Sequence, residues 1–226
     1  MGDVLIQVLV VVFSVVFHEV AHGWMALKLG DTTARDQGRL TLNPLPHIDP
    51  IGSVIVPALL AITSSFMMGW ARPVPVNTGR LRQPWNDYPK VAAAGPLSNL
   101  LLAFVSAILL GLTAIAYGRF PDGHAALEPL KFLVRVWQFG IVVNVALAVF
   151  NLIPLPPLDG SWILSRLLPA SLRASYENLR RYGMLLVVGF LLLMHYTPAG
   201  ALFGRAMQAV ISPFLALALA LAKLGA

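Results

Sequence analysis

The stretch VLIQVLVVVFSVVFHEVAHGWMALKL, residues 4–29, decides how the rest of the chain is read. A helix that crosses a bilayer needs about 20 mostly apolar residues, and this stretch supplies them. A cleaved signal peptide has a basic start and a small-residue cleavage site. Here there is neither, and the helical pattern runs past Phe17 into His18 and Glu19. The segment therefore reads as a retained membrane helix with three ionisable groups, His18, Glu19 and His22, within five residues of one another.

The composition agrees. Of 226 residues, 58% are hydrophobic and 12% charged, about half the charge of a soluble domain. That excludes an ordinary water-soluble enzyme and a disordered chain. With no cysteine, a disulfide scaffold, a thiolate zinc site, an iron–sulfur cluster and a cysteine nucleophile are excluded too. The net charge of +6 reads as basic loops on the cytoplasmic side of a membrane. The basic stretches lack the interleaved aromatics of a nucleic-acid surface, so no nucleic-acid partner is expected.

Working outward, further apolar runs lie at 51–70, 91–117, 132–152, 182–196 and 199–221. Pro198 separates the last two into a hairpin over 182–221. The expected fold is an all-α polytopic membrane protein of five to six transmembrane helices. It forms a single membrane-embedded domain over 1–226, with core helices 4–29, 91–117 and 132–152. Alternation around Arg39-Leu40-Thr41-Leu42 and the proline-extended Val74-Pro75-Val76 add a short membrane-associated β element.

The chemistry starts with His18-Glu19-Val20-Ala21-His22. Residues i and i+4 share a helix face, so two imidazoles can hold one zinc ion and leave Glu19 beside it as a base. Ionisable groups inside a membrane helix are costly and usually functional. A catalytic zinc needs a third protein ligand. The best candidate is Asp159, which follows the proline-rich end of the 132–152 helix. Taken alone, Asp159 reads rather as the N-cap of the helix beginning near Ser161. Asn99 is a candidate for supporting the site and Asn144 for joining helices. His47 and Asp49 either line the site entrance and modulate the metal, or form an interfacial turn with a helix cap. His124 and His195 read as interfacial.

His18-Glu19-x-x-His22, then Asn151-x-x-Pro154-x-x-x-Leu158-Asp159-Gly160, with Gly95-Pro96-Leu97-Ser98-Asn99 between them, resembles the site-2 protease family of intramembrane zinc metalloproteases. The resemblance covers residues 4–168. It implies one zinc per chain on His18, His22 and Asp159, Glu19 as general base, and Asn151 orienting substrate or stabilising the oxyanion. It also implies hydrolysis of peptide bonds within transmembrane segments, in regulated intramembrane proteolysis or clearance of membrane stubs. An unwound substrate could pair with Thr41, Val74 and Val76 as an added strand. A membrane zinc transporter or channel is the alternative, although such a protein has no need of Glu19.

The expected setting is a multi-pass protein of a bacterial-type cell membrane, with the site nearer the cytoplasmic face. Its partners are the bilayer and the substrate's membrane segment; oligomeric state is unreadable. Charge also bears on residues 51–70. If they dip in and return, only Arg119, Lys131 and Arg135 of the loop-flanking basic residues face outward. The expectation is thus a re-entrant segment.

Overall fold

In the computed structural model, residues 2–55 and 70–225 are described. The helices are α1 (Gly2–Lys28), α2 (Thr33–Asp36), α3 (Pro84–Gly118), α4 (Leu127–Leu152), α5 (Asp159–Leu167), α6 (Ala170–Asn178), α7 (Gly183–Tyr196) and α8 (Ala199–Leu224). Five stretches are long and apolar enough to cross a membrane, by length and composition: Val4–Lys28, Pro84–Gly118, Leu127–Leu152, Ala170–Tyr196 and Ala199–Leu224. The all-helical polytopic expectation holds at that level.

Two helices begin earlier than their apolar runs. α3 starts at Pro84 rather than Val91, with proline in the first turn, where its missing N–H costs nothing. Its first turns carry Asp87 and Lys90, paired at 2.8 Å, which hydropathy alone leaves outside the helix. α4 starts at Leu127, before the apolar run, and Glu128 pairs with Lys131 at 2.8 Å.

The core is α1, α3 and α4 in antiparallel sequence. Val91, Asn99 and Ser106 of α3 meet, in turn, His22 of α1, both Ser14 of α1 and Asn144 of α4, and Gly140 of α4. Small residues allow the approach, as membrane helix packing favours: Ala103 and Ala107 of α3 lie with Ile141 and Val145 of α4 and Ala218 of α8 in one buried cluster. Gly111 faces Ala218 and Leu221, and Ile115 faces Gly225, so α8 runs in the same direction as α3. Phe190 of α7 and Phe203 of α8 meet with ring centroids 6.0 Å apart across the Pro198 break.

The expected β element does not form among the described residues. The backbone groups a ladder would use have other partners. The Val74 N–H goes to Glu19, the Asn77 N–H goes to Asp31, and the carbonyls of Arg72 and Pro73 take the Arg39 guanidinium. Most of the expected re-entrant segment, residues 56–69, lies outside the described residues. Its flanks do not: the Trp70 N–H donates to the Gly52 carbonyl at 3.1 Å, and the Arg82 N–H to the Leu29 carbonyl at 3.0 Å. The end of α1 and the start of α3 therefore lie together.

Candidate metal centre

Helical spacing places His18 and His22 one turn apart on α1, with their Nε2 atoms 3.0 Å apart. The orientation of each ring is fixed from behind. The His22 Nδ1 lies 2.7 Å from the Val91 carbonyl, which can only accept, so that nitrogen carries the proton. The His18 Nδ1 lies 2.6 Å from Asn99 Oδ1. Asn99 is fully buried and cannot be turned round, because its Nδ2 donates to the Ser14 carbonyl and to Asn144 Oδ1. Asn144 is fixed in turn by donating to the Gly140 carbonyl at 2.9 Å. Both imidazoles, when neutral, therefore present the lone pair of Nε2 to the same point.

Asp159 faces that point as well. Its Oδ2 lies 3.2 Å from His18 Nε2 and 3.4 Å from His22 Nε2. It is buried and accepts no hydrogen bond. It does not cap α5: Leu158 holds the cap position, and no side chain caps the helix. The turn that aims it is set by Gly160, where a Cβ would collide with the carbonyls of Leu152 and Ile153.

Three acceptors converging without a donor call for a cation. The three ligand atoms lie within 4.8 Å of one another and could hold a metal ion. Ligands about 2.0–2.1 Å from a tetrahedral zinc stand roughly 3.3–3.4 Å apart, which the separations of 3.0, 3.2 and 3.4 Å approach. Gly95 completes the cradle: a Cβ there would strike His22 Nε2 and come within 2.6 Å of His18 Cε1 and Nε2. The residues present fit zinc.

Glu19 follows His18 on the same turn, and its Oε2 accepts the Val74 N–H at 2.8 Å. Val74 is buried against Gly23, at a distance where a Cβ on Gly23 would meet its Cγ1 at 2.7 Å. Val76 packs on the Ala26, Leu81 and Val91 cluster. Arg39 holds the start of this stretch, donating from Nη2 to the carbonyls of Arg72 at 3.0 Å and Pro73 at 3.2 Å.

Other candidates have different partners. Thr41 accepts on its carbonyl from His47 Nε2 at 3.0 Å and on Oγ1 from the Asn43 N–H. His47 is buried in that loop and is not one of the three converging groups. Asp49 Oδ1 accepts the N–H groups of Ile51 and Gly52, so it caps the turn at Pro50–Ile55 as one reading anticipated. Asn151 Nδ2 donates to the Leu147 carbonyl one turn back at 2.9 Å. His124 stacks on Phe120 in the α3–α4 loop, and His195 is exposed near the end of α7. The contributions of Gly95, the Val91 carbonyl and Arg39 were not legible as site features. Gly95 and Val91 act through close backbone approach and Arg39 through its guanidinium on backbone carbonyls; of the three, only Gly95 lay within a site motif, at 95–99.

The description "Peptidase family M50" matches residues 6–195. The chain belongs to this family, the site-2 protease type of zinc metalloprotease. Among relatives, it is 40% identical over 195 residues to "Putative zinc metalloprotease YwhC" of Bacillus subtilis (strain 168), covering 86% of this chain and 81% of that one. It is 31% identical over 189 residues to Rip2 of Mycolicibacterium smegmatis, named in the same way, covering 82% of this chain and 64% of Rip2. No solved structure matches. Family and helices together make this a multi-pass membrane protein of the zinc metalloprotease kind.

Proposed function

We propose that this protein hydrolyses peptide bonds within transmembrane segments of other membrane proteins, at a zinc held by His18, His22 and Asp159. The observation that carries the reading is the convergence of two imidazole lone pairs and an unpartnered buried carboxylate oxygen, with Glu19 on the same helical turn. The zinc transporter alternative explains the ligands but gives Glu19 no task.

When bound, zinc supplies Lewis acidity, polarising a carbonyl and making water a nucleophile near neutral pH. The chain's residues do the rest. Glu19 takes a proton from the attacking water and passes it to the amide nitrogen that leaves. The Val74 N–H holds one carboxylate oxygen, which fixes the direction of the other. Asn99 and the Val91 carbonyl keep the imidazoles in one tautomer. Asn151 orients the substrate, exchanging its bond to Leu147 for one to a substrate carbonyl. A helical substrate shields its peptide bonds, so it unwinds and lies extended near Thr41, Val74 and Val76. The site faces the cytoplasmic half of the membrane, and the whole chain acts as one domain.

Glu19→Gln tests the reading. In proteoliposomes, the variant should retain zinc and lose cleavage of a helical membrane substrate by at least about 100-fold, the scale of general-base catalysis. Normal turnover by that variant would rule the mechanism out.

A further inference from the structure

We propose that Tyr176 and Arg180 are positioning residues for Asp159, acting from a strap that grips the turn carrying it. The inference deepens the metal site proposed above and rests on it. The three ligands are held in different ways. His18 and His22 each have a partner on Nδ1, behind the ring. Asp159 Oδ2 is buried and has no hydrogen bond, so its place is set by the backbone that carries it. That backbone is the turn over 153–158 and the first turn of α5. A ligand must be held within about 0.5 Å of its working position by what packs around it.

Residues 170–183 grip this backbone on both sides of Asp159. Before it, Tyr176 of α6 donates from Oη to the Pro154 carbonyl at 2.8 Å. A Cβ on Gly183, the first residue of α7, would lie 3.1 Å from Pro157 Cδ, so α7 begins against the same turn. After it, Arg180 in the turn Leu179–Tyr182 donates from Nη1 to Ser161 Oγ at 3.3 Å. Its guanidinium carbon lies 3.2 Å from the centroid of the Trp162 ring. Arg180 Nε and Nη2 are buried with no acceptor, so hydrogen bonding ties this side chain to Ser161 alone.

The strap is also linked to the histidines. Trp162 meets Tyr88 of α3 edge-on, with ring centroids 4.4 Å apart. Tyr88 packs on the Ala26, Leu81 and Val91 cluster, and the Val91 carbonyl holds His22. The remaining bonds of the strap lie further along α5. Ser165 Oγ donates to Glu177 Oε1 at 2.5 Å, and Arg173 donates to the carbonyls of Ser165 and Leu168. They fasten the strap but do not touch the turn before Asp159. Tyr176 and Arg180 are the side chains that hold the two flanks of the ligand.

The test is zinc affinity of the full chain in detergent, read by competition with a chelating dye where circular dichroism shows each variant folded. Tyr176→Phe, which loses only a hydroxyl, combined with Arg180→Gln should weaken zinc binding about tenfold, the low end for partners that orient a ligand. Cobalt in place of zinc should give a visible spectrum altered in the double variant, since the carboxylate's approach to the metal changes. In an Asp159→Asn background the same two changes should add no further loss, because they act through the carboxylate. A general loss of packing would instead weaken binding equally in both backgrounds. Wild-type zinc binding with unchanged affinity in the double variant, or an equal loss in the Asp159→Asn background, overturns the proposal and leaves the metal site standing. A wild-type chain that binds no zinc overturns the site, and the proposal with it.

Discussion

His18 and His22 each commit Nδ1 to an acceptor behind the ring, which leaves both Nε2 lone pairs turned toward Asp159 and available to a cation. If His18 lost Asn99 Oδ1, the ring could turn or carry its proton on Nε2, and one of three ligands would be lost for part of the time. Removing such a partner typically costs 10–100-fold in metal affinity. Asn99→Ala is therefore expected to weaken zinc binding by about 10–100-fold, read by competition with a chelating dye. Asn144→Ala, one bond further away, should weaken it less. Equal affinity in wild type and Asn99→Ala would show that the relay is only packing. Gly95→Ala should be worse than either, since its Cβ would occupy space that both rings fill. A helix can be drawn from hydropathy, but this close approach cannot.

At the scale of elements, the stretch from Arg72 to Val76 connects Arg39 to Glu19. Arg39 is buried, and burial pulls its guanidinium below the usual pKa, with Arg72 adding repulsion and Glu19 opposing. This cation binds the carbonyls of Arg72 and Pro73, next to the Val74 N–H that reaches Glu19. Arg39→Gln should leave zinc content unchanged and lower cleavage about tenfold, equivalent to about 1.4 kcal/mol of transition-state stabilisation, less than one charge-assisted hydrogen bond can contribute. Unchanged cleavage would mean that Glu19 is positioned without this stretch. Here the sequence was only half legible. Alternation and prolines suggested a short β element, but side chains of Arg39, Glu19 and Asp31 took the bonds that a ladder would have needed. Asp159 shows the converse. By local rules it read first as a helix cap, yet Leu158 holds that position, and Gly160 packs on the Leu152 and Ile153 carbonyls, a tertiary contact that turns Asp159 toward the histidines.

At the scale of the molecule, the five long apolar stretches were legible because a bilayer imposes length and hydropathy directly on sequence. Their ends were less so, since α3 and α4 carry charged turns beyond the apolar core. The contacts between Leu29 and Arg82, and between Gly52 and Trp70, support a chain that leaves and returns on one face between α1 and α3. We expect single cysteines at Thr33 and Asn77 to be shielded in intact cells from an impermeant thiol reagent, and one at Ala126 to react. The chain has no cysteine of its own, so the background is clean. Labelling of Thr33→Cys and Asn77→Cys from opposite sides would contradict the arrangement.

The central claim is that His18, His22 and Asp159 hold one zinc ion. Zinc-edge X-ray absorption on the purified full chain tests it most directly, with metal content measured on the same samples. The account predicts one zinc per chain, with two imidazole nitrogens and a carboxylate oxygen about 2.0–2.2 Å away. In Asp159→Asn, which preserves shape and removes the charge, zinc content should fall markedly. A wild-type protein without stoichiometric zinc, or an Asp159→Asn variant with the same content and the same spectrum, would contradict it.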